Sequence, residues 1–127
     1  MNRRDANIAE DRPLQEKRGS SVKYYMVGEV ETTDPSWVPD YVANVTGMVE
    51  RWGGRYLART PKAEKVEGER KPSGIMVIVE WPSKEAATAF YESEEYRPYR
   101  QKRLAGAKNE FLLVAGEDVA QAAHIPD

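Results

Sequence analysis

Residues 75–81 read IMVIVEW, and this run is the clearest strand signal in the chain. Successive side chains of a strand point to opposite faces of the sheet. One face therefore receives the first, third, fifth and seventh residues of the run, all apolar, while the other receives Met76 and Ile78. A sheet with one face in water alternates apolar and polar side chains. Because both faces are apolar here, we predict that both faces of the sheet are covered.

Three further runs predict strands, at 22–31, 55–60 and 110–115. We expect the second of these to continue past Pro61 over 63–67, after a bulge or a hairpin. The last strand is again apolar on both faces, because Phe111 and its alternate neighbours oppose Leu112 and Val114.

Two helical segments lie between the strands. Asp34-Pro35 predicts the start of the first, with Asp34 as its N-cap, and Gly53-Gly54 predicts its end. Pro82-Ser83 predicts the start of the second, which we expect to restart with Ser93 as a second cap and to end at Gly106. The order is therefore βαββαβ, which predicts an α+β fold with a ferredoxin-like antiparallel sheet.

The doubly apolar strands also predict a partner. A lone domain of this kind covers one face of its sheet with its two helices and leaves the other face in water. Exposed apolar surface of that extent is costly, and the chain has no spare helix to cover it. We therefore expect a second copy of the sheet to cover it, which gives a homodimer that forms a dimeric α/β barrel.

The 127 residues suffice for one domain, which we place at 22–116, after a flexible charged N-terminal arm at 1–21 and before a C-terminal tail at 117–127. A net charge of −2 gives no overall attraction to nucleic acid, and no apolar run is long enough to span a membrane. The absence of cysteine and of a secretory signal favours the cytoplasm.

Composition also restricts the chemistry. Without cysteine, thiolate nucleophiles and Cys-ligated zinc or iron–sulfur sites are excluded. The single histidine, His124, lies in the predicted tail, so we expect neither a metal site nor a bound cofactor that needs a histidine ligand.

The chain resembles the domain of unknown function 1330 family, a member of the dimeric α/β-barrel superfamily, over residues 25–116. The resemblance rests on an ordered series of motifs, which are Tyr25 with Glu29, Asp34-Pro35, Tyr41, Gly53-Gly54-Arg55-Tyr56-Leu57, Glu67-Gly68, Glu80-Trp81-Pro82-Ser83, Ala86-Ala87 and Tyr91-x-Ser93-x-x-Tyr96. Trp81 stands where the family usually has phenylalanine, and Pro98 interrupts the second helix. The resemblance implies a homodimeric barrel and a small-ligand cleft. It implies no catalytic residue.

Six residues are candidates for a ligand cleft between helices and sheet. Arg55 follows a glycine pair, and its guanidinium is suited to hold the anionic end of a ligand. The other candidates are hydroxyl-bearing or basic side chains, namely Tyr25, Tyr91, Ser93, Tyr96 and Arg100. Alternatively, Arg55 pairs with Asp34, Glu80 or a partner-chain carboxylate, and Ser93 and the tyrosines serve only capping and packing. The basic run 97–103 is interpreted mainly as a solvated face.

Asp34 and Glu29 are weak candidates for a general base, which requires a carboxyl group whose pKa is raised by burial. A helix cap is the better interpretation of Asp34, and an ion pair at the strand edge is an equal alternative for Glu29.

Three functions remain open. The first is a homodimeric binder of a small apolar or anionic molecule, the second a cofactor-independent oxygenase or isomerase-like enzyme, and the third an interaction module that uses the charged arm.

Overall fold

The computed structural model describes residues 22–127, so the predicted arm at 1–21 lies outside the described residues. Residues 24–114 form one compact unit. Its strands are β1 (Tyr24–Thr32), β2 (Arg55–Thr60), β3 (Ile75–Trp81) and β4 (Ala107–Ala115). Its helices are a 3-10 turn (Pro35–Trp37), α1 (Val38–Arg51), α2 (Lys84–Tyr91) and α3 (Arg97–Gly106).

The four strands form one antiparallel sheet in the order β2-β3-β1-β4, which confirms the predicted α+β, ferredoxin-like fold. The central pair runs from Tyr24 opposite Trp81 to Val30 opposite Ile75. Between Tyr56 and Ala58 the pairing of β2 with β3 shifts by one residue, which marks a bulge at Leu57.

The hydrophobic core lies between one face of this sheet and the helices. On the sheet side it contains Val79 and Trp81 of β3. The helices contribute buried apolar side chains at helical spacing, namely Val45, Met48 and Val49 of α1 and Ala87 and Phe90 of α2. We call this surface the helix face of the sheet and the opposite surface the open face.

Two of the predicted helix starts are confirmed. The Oδ1 atom of Asp34 accepts a hydrogen bond of 3.0 Å from the Ser36 N–H, and the 3-10 turn that follows leads directly into α1. The Ser83 Oγ atom accepts one of 3.0 Å from the Ala86 N–H at the start of α2. Both are N-cap bonds that satisfy otherwise unpaired amides.

The predicted second cap is wrong in its position. Helix α3 begins at Arg97, and Ser93 instead closes the turn before it, accepting from the Tyr96 N–H at 3.1 Å and donating to the Phe90 carbonyl at 2.8 Å. Pro98 lies in the first turn of α3, where a proline lacks no needed N–H, so it starts this helix rather than interrupting it.

The predicted strand over 63–67 is also wrong, because the chain from 62 to 74 has no regular structure. Gly68 and Gly74 have φ angles of +104° and +77°, which turn the chain out of the extended conformation. Contacts with Glu29 hold the end of this segment, since Arg70 and Ser73 both donate hydrogen bonds to its carboxylate.

Gly28 of β1 is required by close packing within the sheet. A Cβ atom at this position would lie 2.3 Å from the ring of Phe111, well inside van der Waals contact. Gly28 pairs with Val77, so Phe111 lies on the helix face and its neighbours Leu112 and Val114 point to the open face.

The segment from Ala115 to Asp127 groups separately, together with Lys23. The carboxylate of Asp118 accepts hydrogen bonds from the N–H groups of Ala120, Ala122 and Ala123, which lower its pKa. No helix among the described residues is long and apolar enough to cross a membrane.

Candidate functional site

A cavity of about 290 Å³ lies on the helix face of the sheet, next to the start of α1. Its walls are mainly apolar and come from the sheet, the 3-10 turn, α1 and α3. They consist of Val30, Thr32, Trp37, Val38, Tyr41, Val42, Tyr56, Arg59, Ile75, Val77 and Arg103. Ligand pockets in proteins have volumes of roughly 300–1,000 Å³, and this cavity lies at the lower end of that range, which suits only a small molecule.

A cluster of polar side chains adjoins the cavity. The hydroxyl groups of Tyr41 and Tyr96 share a hydrogen bond of 2.6 Å. The Nη2 atom of Arg103 donates to the Tyr96 hydroxyl at 3.3 Å, and its Nη1 atom donates to the Asn109 Oδ1 atom at 2.7 Å. Tyr41 and Arg103 line the cavity themselves, whereas Tyr96 lies behind Tyr41.

Burial keeps the Tyr41 hydroxyl protonated. Removal from water raises the pKa of Tyr41, and the neighbouring Tyr96 hydroxyl raises it further. The pKa of Tyr56, which lines the opposite wall, is also raised by burial. Both tyrosines therefore contribute neutral side chains to the cavity wall.

The rim of the cavity is held by Trp37 and Arg59. The indole N–H of Trp37 donates to the Gly106 carbonyl at 3.1 Å, and this carbonyl also accepts the Thr33 and Asp34 amides. A Cβ atom at Gly106 would lie 2.4 Å from the Trp37 ring, so only glycine allows this approach. Arg59 donates to the Thr46 hydroxyl at 3.0 Å and lies 4.6 Å above the Tyr56 ring.

Four of the predicted ligand residues lie on the helix face, around the junction of α2 and α3. Tyr96 is buried in the polar cluster. The Tyr91 ring packs 5.9 Å from the Tyr96 ring, and Arg100 lies 5.1 Å above Tyr91 and donates to its carbonyl. Ser93 closes the neighbouring turn. Of these four, Tyr96 is the one that hydrogen-bonds to described residues lining the cavity, namely Tyr41 and Arg103.

The remaining two predicted ligand residues lie on the open face. Tyr25 and Arg55 both pair across the sheet with Glu80 of β3, and the Arg55 guanidinium forms a salt bridge of 3.3 Å with the Glu80 carboxylate. This is one of the alternative roles that the sequence allowed for Arg55. The sheet therefore separates Tyr25 and Arg55 from the other four candidates.

The two carboxylates considered as general bases are both held as hydrogen-bond acceptors. Glu29 is buried beside the 62–74 segment, and its pKa is lowered mainly by the hydrogen bond from the Ser73 backbone N–H. A smaller lowering comes from Arg70, whose Nη1 atom donates to the Glu29 Oε1 atom at 3.1 Å. The Ser36 backbone N–H lowers the pKa of Asp34. A lowered pKa in the folded state stabilises the fold at pH values above the unfolded pKa, and this contribution is lost as the pH falls through the folded pKa.

A smaller cavity of about 240 Å³ lies beside Glu29 on the open face. Residues of the 62–74 segment form most of its wall, including the charged Glu64, Lys65, Glu67 and Arg70. Its acidic and basic side chains largely compensate one another. Within residues 22–127, no three His, Asp or Glu side chains are grouped closely enough to hold a metal ion.

Sequence reasoning missed Arg103, Tyr41 and Arg59 as site residues. The interpretation of 97–103 as a solvated face is wrong at Arg103, whose exposure is only 1%. One signal was available, because Arg103 follows Tyr96 by seven residues and so lies on the same side of the helix two turns later. No comparable pattern marks Arg59.

The sheet topology and the cavity on its helix face define a ferredoxin-like α+β domain. The chain belongs to the family described as "Domain of unknown function (DUF1330)", whose model matches residues 23–117. No curated protein matches the chain.

Solved structures of other proteins share this fold. RPA0582, a protein of unknown function from Rhodopseudomonas palustris, is 17% identical, with a TM-score of 0.62, over 78% of this chain and 85% of that one. Its methylated form gives 16% identity and a TM-score of 0.63, over 80% and 86% of the two chains. SnoaB, a cofactor-independent oxygenase from Streptomyces nogalater, is 15% identical, with a TM-score of 0.56, over 80% and 99%. At these identities the likeness extends to the fold alone.

Proposed function

We propose that this protein is a homodimer and that each copy binds a small, largely apolar molecule in the cavity on its helix face. The cavity carries the proposal. It combines apolar walls of ligand-binding size with a few polar groups at one end, and this is the usual composition of a small-molecule site.

The open face of the sheet supports the dimer. Its centre is apolar, with Val27 opposite Ile78 on the two middle strands. On β4, Leu112 is 67% exposed and Val114 is 44% exposed. Exposed apolar side chains grouped on one face mark an interaction site, and a second copy of the same face is their natural complement in a two-fold dimer.

The predicted ligand residues take different parts in this proposal. Tyr96 supports the cavity through Tyr41, and Tyr91, Ser93 and Arg100 brace the junction on which Tyr96 is carried. Tyr25 and Arg55 belong to the open face, where we assign them to the dimer surface together with Glu80.

Filling the cavity should abolish ligand binding without disturbing the fold. Val42 lines the cavity from the surface of α1 and is 43% exposed, so a Val42→Trp side chain has room to enter the cavity. We expect the neutral fluorescent probe N-phenyl-1-naphthylamine to bind the natural protein saturably, at one site per chain. Its fluorescence enhancement should fall at least about tenfold in Val42→Trp, as expected when a bulky group occupies an apolar pocket.

Val119→Trp is the matched control, because Val119 is 88% exposed and does not line the cavity. It adds the same fluorophore and the same bulk. Equal probe binding by all three proteins would mean that the probe does not occupy this cavity, and the proposal would then be wrong.

An enzyme is the second candidate, and the similarity in fold to SnoaB favours it. An oxygenase without a cofactor needs a substrate that ionises readily, and a guanidinium beside the cavity would stabilise the resulting anion. In an oxygen-electrode measurement with the phenol 1-naphthol, oxygen uptake that is lost in Val42→Trp would favour the enzyme. Full recovery of unchanged phenol would favour binding alone.

The hypothesis of an interaction module concerns residues 1–21, which lie outside the described residues.

A further inference from the structure

Among the described residues, Arg103 is a buried cation without an acidic partner. It is 1% exposed, and its hydrogen bonds go to the neutral side chains of Asn109 and Tyr96. The ring of Phe111 lies 4.6 Å from its central carbon atom. None of the salt bridges between residues 22 and 127 involves Arg103.

Its guanidinium is also left with an unused donor. The Nε–H group is fully buried and has no hydrogen-bond partner among the described residues. Burial alone would lower the pKa of Arg103, but its interactions with the Tyr96 and Tyr41 hydroxyls outweigh burial and raise it. The side chain is therefore positively charged, and a buried charge is stable only when it is paired or fully hydrogen-bonded.

The lining of the cavity next to Arg103 also has positive charge without negative charge among the described residues. Among residues 22–127, its eleven lining residues include two arginines, Arg103 at the inner wall and Arg59 at the rim, and no carboxylate. Three uncharged side chains that can donate a hydrogen bond, Tyr41, Tyr56 and Thr32, also line it. A cavity with this lining attracts an anion and repels a cation.

We propose that Arg103 anchors the negatively charged group of a small organic acid, whose apolar body fills the rest of the cavity. The inference rests on the proposed function, because it assumes that the cavity binds a ligand. A carboxylate or enolate would give Arg103 the counter-charge and the acceptor that it lacks. Arginine is suited to this role because its planar donors match two oxygen atoms at once.

The remaining walls restrict the body of this acid. Val30, Val38, Ile75 and Val77 are aliphatic, and Trp37 and Tyr56 offer flat aromatic surfaces. At about 290 Å³, the cavity accommodates an aromatic or hydrocarbon body no larger than that of N-phenyl-1-naphthylamine, rather than a long-chain fatty acid or a nucleotide. With a single fully buried guanidinium, one negative charge is the expected complement.

The test compares phenylacetate with phenylacetamide, which has nearly the same shape but no charge. Titrations of the natural protein are followed by its tryptophan fluorescence, to which Trp37 in the cavity wall contributes, and by the NMR resonance of the Arg103 Nε–H group. We expect phenylacetate to bind roughly 10- to 100-fold more tightly than the amide, which is the usual value of a charge-assisted hydrogen bond. Only the anion should shift the Arg103 resonance.

Arg103→Met keeps an unbranched apolar stem and removes the guanidinium with its charge, so it should lose this preference and bind both compounds equally. Arg97→Met is the matched control, because it makes the same change on the same helix, where Arg97 forms an exposed pair with Glu94. It should bind like the natural protein. If Arg103→Met does not fold, the resonance shift in the natural protein decides the question alone.

The outcomes separate the two claims. If the natural protein binds N-phenyl-1-naphthylamine but prefers neither phenylacetate nor its amide, the cavity binds ligands and the role of Arg103 is refuted. If Arg103→Met keeps the preference for the anion, another residue binds the negatively charged group and the inference is equally refuted. If no probe enters the cavity at all, the proposed function fails first.

Discussion

Leu112→Arg is expected to convert the protein from a dimer into a monomer. Leu112 lies on β4 with its side chain on the open face, and it is 67% exposed in a single copy. Arginine at this position would bury a charge in the proposed interface, and a two-fold dimer carries the substitution twice. We expect the dissociation constant to rise at least about a hundredfold, since each 1.4 kcal/mol corresponds to tenfold. Sedimentation at micromolar concentration measures the change.

The matched control is Leu104→Arg. Leu104 lies on α3 and is 50% exposed, so the same substitution there places a charge in water and not against a second sheet. Leu104→Arg should sediment like the natural protein. If the natural protein is itself a well-folded single copy at micromolar concentration, the dimer proposal is wrong.

Trp81→Ala is expected to destabilise the domain by about 3–5 kcal/mol, the usual cost of removing a buried aromatic side chain. Trp81 is 2% exposed and is stacked on Phe90 at a ring distance of 5.3 Å. It also packs against Gly54, where an added Cβ atom would lie 3.0 Å from the indole. The surrounding side chains therefore cannot easily move in to fill the space. Urea denaturation, monitored by circular dichroism, gives the free energy of unfolding.

Two controls define the cause of this loss. Trp81→Phe should cost far less, because the ring is kept and the indole N–H, which has no hydrogen-bond partner among the described residues, is removed. Trp52→Ala should also cost less, since Trp52 is 37% exposed. Equal losses for Trp81→Ala and Trp52→Ala would show that burial does not determine the effect.

Local signals predicted most of the elements correctly. The strand over 75–81 is apolar on both faces, and the structure places β3 at Ile75–Trp81 in the middle of the sheet. Asp34 and Ser83 cap their helices as expected, because a cap depends only on side chains within three residues of the helix start. Such features need no knowledge of distant parts of the chain.

The errors occur where a distant contact competes with a local preference. The 63–67 segment, AEKVE, has only one residue that favours a strand, and the chain that follows it is tied to β1 by the bonds from Arg70 and Ser73 to Glu29. Ser93 is a good cap, but the bonds that it makes to Phe90 and Tyr96 close a turn before α3 begins. Strand β4 begins at Ala107, earlier than predicted, because α3 continues directly into it.

The sequence by itself determined the order of the elements, the ferredoxin-like class and the apolar character of both faces of the sheet, because these follow from periodicities of two and 3.6 residues within single segments. Only the tertiary structure decided which side chains meet. It placed Arg55 and Tyr96 on opposite faces of the sheet. It also buried Arg103 beside a cavity, although the neighbouring basic residues of the run are accessible to solvent. The physical reason is that a charged residue among other charged residues is predicted to lie in water, whereas its burial depends on the strands and helices that pack over it.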